Sequence, residues 1–184
     1  QADRTAGRRA ARRAIVDLVG AGEFALSSAP SGAPQVHGVD GVRVSISHRE
    51  GQGWAAATRH GTPGLDVEAV ALRPISWLRT WFTAAEQANF ANDPLAQTRA
   101  WCAKEAVLKA LGTGMALHPK DVEIVDQRSF IATVKLHREA AERRELLGGG
   151  SLIVTLGMID GLVAAAALLG PGDGRPLARS RRVA

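Results

Sequence analysis

Gly64-Leu-Asp-Val-Glu68 and, farther along, Trp101-Cys-Ala-Lys-Glu-Ala-Val-Leu-Lys109 decide the reading of this 184-residue chain. In the first stretch apolar and acidic side chains alternate. Residues two apart on a strand share a face, so Asp66 and Glu68 point one way while Leu65 and Val67 enter the core. Two carboxylates on one face repel unless a cation lies between them; the plainer reading is a solvated strand face. The second stretch has a helical period. At about 100° per residue, Glu105 and Lys109 share a face. Ala100, Ala103, Val107, Ala110 and Leu111 form a separate apolar stripe, flanked by Lys104. Taken alone, Glu105 and Lys109 make a surface ion pair worth roughly a few tenths of a kcal/mol.

Working outward, the elements change character along the chain. Arg8 to Val19 reads as a helix, with Ile15, Leu18 and Val19 at i, i+3, i+4 and basic residues opposite. Ser27 to Val42 is rich in Ser, Gly and Pro and reads as a loop. Val42 to His48, Trp54 to Thr58 and Leu65 to Val70 read as strands separated by glycine turns. Thr83-Ala-Ala-Glu86 is a capping box, and Asp93-Pro94 opens a long helix that Gly112 and Gly114 stop. Asp121 to Val125, Phe130 to Leu136, Ser151 to Leu156 and Leu162 to Leu168 read as further strands, with a short charged helix over Glu139 to Leu147. Strands, then helices, then strands, with antiparallel turn signals, predict an α+β fold.

Composition narrows the function. The net charge of +5 belongs to the ends: residues 1–13 hold five Arg against Asp3, and residues 173–184 hold four Arg against Asp173. The remaining body carries 14 basic and 16 acidic residues. No aromatic residues interleave the terminal arginines, so nucleic-acid binding is not expected. A phosphate-rich small molecule or an acidic protein partner accounts for the basic ends equally well. No apolar run is long enough to span a membrane, and no secretory signal stands at the N-terminus. Cys102 is the one cysteine, which excludes an internal disulfide and fits a cytoplasmic setting.

The combination of motifs resembles the 4′-phosphopantetheinyl transferase superfamily. That family carries Gly-(Ile/Val/Leu)-Asp-x-Glu followed by Trp-(Ser/Thr/Cys)-x-Lys-Glu-(Ala/Ser)-x-x-Lys. Ser45-Ile-Ser-His48 is similar to its Ser-His motif, Gly32-Ala-Pro34 to its Gly-x-Pro motif, and Trp81-Phe-Thr-Ala-Ala-Glu86 to its aromatic-Phe-(Ser/Thr)-x-x-Glu segment. The five motifs stand in the family's order over residues 32–112. Arg49 departs from the pattern, since many members have Ser after the His; the departure bears on a phosphate-side contact. Sixty-three residues precede Gly64, which resembles the larger, two-lobed, monomeric subtype rather than the short trimeric synthases.

The resemblance implies two pseudo-symmetric lobes, each an antiparallel sheet packed with helices, with the active site in the cleft between them. The expected division is 1–63 for the N-terminal lobe, 64–172 for the C-terminal lobe and 173–184 for a disordered basic tail. It implies transfer of 4′-phosphopantetheine from coenzyme A to a serine of an acyl or peptidyl carrier protein, releasing 3′,5′-ADP. Asp66, Glu68 and Glu105 are the expected metal ligands; oxygen-only donors suit Mg²⁺, with Mn²⁺ able to substitute. Lys104 and Lys109 are expected to hold phosphates or protonate the leaving group, and Glu105 or a metal-bound water to take the serine proton. His48, Arg4, Arg8 and Arg12 are the candidates for the coenzyme A phosphates. Leu72-Arg-Pro-Ile-Ser-Trp-Leu-Arg79, with Arg73 and Arg79 beside Trp77 and Leu78, is the candidate carrier-docking segment; the alternative is that Trp77 and Leu78 are core. Two other functions compete. A non-catalytic relative would bind coenzyme A or carriers without transfer, and a metal-dependent phosphodiesterase would hydrolyse coenzyme A without a carrier.

Overall fold

The computed structural model describes residues 2–172, so the expected tail over 173–184 lies outside the described residues. Helix α1 (Ala2–Val19) leads into a small hairpin, β1 (Ala25–Ser28) and β2 (Pro34–His37), then a longer one, β3 (Arg43–Arg49) and β4 (Gln52–Thr58). Strand β5 (Thr62–Glu68) is followed by the helices α2 (Ile75–Trp81), α3 (Ala84–Phe90) and α4 (Pro94–Ala110). Strands β6 (Val122–Arg128) and β7 (Ile131–Leu136), helix α5 (Arg138–Leu146), and strands β8 (Leu152–Ile159) and β9 (Leu162–Leu169) complete the described fold. The architecture is α+β, with antiparallel sheets packed with helices.

The segment expected to be a loop over Ser27–Val42 contains the β1–β2 hairpin. Its Ser, Gly and Pro residues spell the turn itself. Gly32 has a φ of 84°, and the Ala29 and Gly32 N–H groups close the turn onto the Ala33 and Ala29 carbonyls. Helix α1 is also longer than its apolar period suggested. Its buried positions are Ala6, Gly7, Ala11 and Ile15, whereas Leu18 is exposed. Small residues let it lie against β4: a Cβ on Gly53 would stand 2.3 Å from the Ala6 carbonyl carbon.

The main sheet runs β5-β9-β8-β7-β6. Helix α4 lies across it, with eleven of its 17 residues buried. The Asp93 side chain accepts the Ala96 N–H at its start, with Pro94 in the first turn. Close approach of α4 to the sheet depends on small residues on both sides. Ala165 and Ala167 of β9 are buried, and so are Ala103, Ala106 and Ala110 of α4. At Gly64 a Cβ would stand 1.8 Å from the Ala106 carbonyl oxygen, so only glycine fits. Strand β5 is the edge of this sheet, where Pro63 is tolerated because no ladder partner needs its missing N–H. Its free edge meets β3 through side chains. Leu65 N–H donates to Ser45 Oγ (2.9 Å) and Val67 N–H to Ser47 Oγ (3.1 Å).

Candidate functional site

The packing of α4 on β5 brings the two signature stretches together. Asp66 lies opposite Ala165 in the β5–β9 register, on the face that α4 covers. Lys109 Nζ donates to Asp66 Oδ1 (2.7 Å) and to the Leu65 carbonyl (2.9 Å). Ser47 donates to the same Asp66 oxygen at 3.2 Å. Asp66 Oδ2 is buried and has no hydrogen-bond partner among the described residues. Glu105, one turn before Lys109, has its pKa pushed up to about 7, first by burial and then by the charge on Asp66, with Lys109 opposing the rise. Glu68 is raised as well, by burial and by Asp66. Arg49, Arg73 and the Trp101 indole hydrogen bond pull it back.

Glu68 holds two cations that its motif alone did not reveal. Arg49 Nη1 donates to Glu68 Oε2, and Arg73 Nη2 approaches that oxygen at 3.8 Å. Arg49 therefore faces a candidate metal carboxylate, where the sequence pointed to a phosphate-side contact. The signal lay in the strand period: Ser45, Ser47 and Arg49 alternate along β3 and reach successive positions of β5. Arg73 stacks on Trp77, its guanidinium carbon 4.7 Å from the ring centroid, and Trp77 packs edge-on against Trp101 at 4.8 Å.

Among the described residues no three Asp, Glu, His or Cys side chains stand together as a ready-made metal cage. Lys109 and Arg49 each engage an oxygen that a cation would need. Asp66 Oδ2 nevertheless stands buried without a partner among the described residues, an acceptor that neither Lys109 nor Ser47 satisfies. An all-oxygen donor set of this kind fits Mg²⁺ or Mn²⁺.

Lys104 is not brought to this site. Although next to Glu105 in sequence, it points about 100° away around the helix and is fully buried. Its Nζ contacts Glu86 Oε1 (2.8 Å) and the carbonyls of Pro119 and Val122, beside the Phe82 ring. Glu86 is the capping-box acid: its Oε2 accepts the Thr83 N–H (2.7 Å) and its Oε1 the Ile124 N–H (2.8 Å). The aromatic-Phe-Thr-x-x-Glu segment and the first lysine of the Trp-Cys-x-Lys-Glu stretch thus form one buried scaffold behind the site. Cys102 is buried too, its thiol donating to the Asp66 carbonyl at 3.0 Å and pushed far up in pKa by burial.

The basic candidates divide. Arg4, Arg8 and His48 line one cavity of about 480 Å³, together with Ser27, Ser28 and the Gly32–Pro34 turn. A second cavity, of about 520 Å³, runs between the β2 region, Arg43, Pro63 and the end of α4 and is lined by Lys109 and Gly112–Gly114. Gly32 and Pro34 belong to both cavities, so a path of pocket-lining residues leads from the N-terminal arginines to Lys109. Arg12 does not line either cavity; its guanidinium lies over the Phe24 ring, 5.7 Å from the centroid.

Residues 62–166 match the family model of the 4′-phosphopantetheinyl transferase superfamily. The chain belongs to this superfamily. Solved structures place the same fold on it. The holo-[acyl-carrier-protein] synthase of Helicobacter pylori, solved with coenzyme A, is 18% identical with a TM-score of 0.50, covering 59% of this chain and 99% of that one. The holo-ACP-synthase of Plasmodium yoelii is 20% identical with a TM-score of 0.52, covering 62% and 97%. The Plasmodium yoelii acyl carrier protein synthase solved with ADP is 22% identical with a TM-score of 0.52 and the same coverage. No curated protein sequence matches the chain. The superfamily match starts at Thr62, the first residue of β5, so α1 and both hairpins lie before it.

Proposed function

We propose that this chain is a phosphopantetheinyl transferase that moves the 4′-phosphopantetheine group of coenzyme A onto a serine of an acyl or peptidyl carrier protein, releasing 3′,5′-ADP. The observation that carries the reading is the Lys109–Asp66 pair, whose lysine lines the cavity that shares Gly32 and Pro34 with the one holding Arg4, Arg8 and His48. A charged nucleotide with a long arm has one basic end and one acidic, lysine-bearing end to occupy. Asp66, Glu68 and Glu105 would hold Mg²⁺, with Mn²⁺ able to substitute, and when bound the ion neutralises charge on the diphosphate. His48, Arg4 and Arg8 bind the outlying phosphates. Lys109, at hydrogen-bond distance from Asp66, holds a diphosphate oxygen and supplies positive charge as the leaving group forms. The serine oxygen forms a bond to the β-phosphorus while the bond to the departing 3′,5′-ADP oxygen breaks. Glu105 accepts the serine proton.

The same reading makes the chain a cytoplasmic monomer of the two-lobed kind, divided near residue 63. Support comes from the β3–β5 seam, which joins the N-terminal hairpin to the main sheet within one chain. The test is incubation with coenzyme A, Mg²⁺ and a panel of apo carrier proteins, read by intact mass. A carrier heavier by one phosphopantetheine group is expected; unchanged carriers throughout, or cleavage of coenzyme A with no carrier present, would refute transfer.

A further inference from the structure

Arg49 already occupies one oxygen of Glu68, a carboxylate the proposed function gives to the metal. Its Nη1 donates to Glu68 Oε2, and its side chain is one-third exposed against 19% for Glu68. Arg73 reaches the same oxygen from the other side at 3.8 Å, and Lys109 holds Asp66 Oδ1 at 2.7 Å. The acidic residues Asp66, Glu68 and Glu105 are thus faced by Arg49, Arg73 and Lys109, an equal number of protein cations. Arg49 Nε is buried without a hydrogen-bond partner among the described residues, yet Glu50 Oε1 lies 3.4 Å from it on the exposed side. The guanidinium therefore spans two carboxylates, firmly bonded to one and close to the other.

We propose that Arg49 is a built-in counter-ion that competes with the divalent cation for Glu68, holding that carboxylate in the metal-free protein and turning toward Glu50 when the metal binds. The inference rests on the reading of Asp66, Glu68 and Glu105 as metal ligands. Arg49 is then a positioning residue that acts through Glu68 and sets how tightly the site takes its metal. A neutral side chain at 49 leaves one net negative charge more at the site. That raises affinity for a divalent ion and removes the partner that steadies Glu68 when metal is absent.

The experiment titrates Mn²⁺ into the metal-stripped full chain without coenzyme A, following free Mn²⁺ by electron paramagnetic resonance. Arg49→Gln and Arg49→Ser are expected to bind at least about tenfold more tightly than the wild type, and Arg49→Lys close to it. In chelator both neutral variants should melt below the wild type, and Mn²⁺ should restore them. Equal or weaker Mn²⁺ binding by the neutral variants overturns the proposal. So does failure of both to fold even with Mn²⁺, because the metal then does not replace the guanidinium. Asp66→Asn separates this from the underlying reading: it should abolish Mn²⁺ binding in either background. Intact binding by Asp66→Asn would show that the carboxylate site itself is misassigned, whereas loss there with equal binding at position 49 removes the Arg49 role alone.

Discussion

Glu105 and Lys104 adjoin in sequence and sit in opposite surroundings. Burial and Asp66 hold the Glu105 pKa near 7, above its ordinary value of 4.5. An acid whose folded pKa is raised weakens the fold once both states would be ionised. The penalty is absent below 4.5, grows through the window up to about 7 and is complete above it. The metal-free protein should therefore become more stable as pH falls from 7.5 to 5.5, by roughly 2 kcal/mol. Glu105→Gln should flatten that slope in chelator, as measured by denaturant unfolding; an unchanged slope would rule Glu105 out as its source. Lys104 supports the fold through its pair with Glu86, both fully buried. Lys104→Met strands a buried carboxylate and should cost about 3–5 kcal/mol, read as a lowered melting temperature. Both residues could be named from the motif, but their division of labour could not. Which lysine of a helix enters a cleft depends on where its partner sits, and Glu86 belongs to another helix.

At the scale of elements, the β5–α4 contact positions the chemistry. A Cβ at Gly64 would meet the Ala106 carbonyl at 1.8 Å, so Gly64→Ala must push the helix outward. It should lower kcat by at least about a hundredfold, since small misplacements at a reacting centre have that effect; near-normal turnover would mean that this packing does not govern the site. The segment after β5 became helix α2, with Leu78 in the core at 3% exposure and Trp77 packed on Phe82 and Trp101. Its exposed apolar side chains are Leu72 at 75% and Ile75 at 65%, with Arg79 exposed beyond them. If the segment meets the carrier, Leu72→Ser with Ile75→Ser should raise carrier KM several-fold at constant melting temperature. Leu78→Ala should instead cost about 2–5 kcal/mol of stability. Long periodic elements such as α4, and the strands of the main sheet, were legible in the sequence. The β1–β2 hairpin and the first residues of α1 were not, because short strands flanked by Ser, Gly and Pro look like loop, and a helix face made of Ala and Gly carries no apolar period.

In the molecule as a whole, the two ends of the site come from either side of residue 62, where the superfamily match begins. His48, Arg4 and Arg8 precede the superfamily match, and the acidic residues lie within it. His48→Ala should raise KM for coenzyme A by roughly 5–10-fold while leaving carrier KM unchanged. An equal loss with dephospho-coenzyme A would exclude a 3′-phosphate contact. The joint between these parts is the β3–β5 seam, made by side chains of β3: Ser45 and Ser47 accept two backbone N–H groups, Ser47 donates to Asp66 and Arg49 to Glu68, with no strand ladder between the strands. A ladder is written in the backbone and survives almost any substitution. Ser45, Ser47 and Arg49 are written in three codons. The union of the halves is thus open to single-nucleotide editing, and a lineage could loosen or tighten it stepwise without redesigning either sheet.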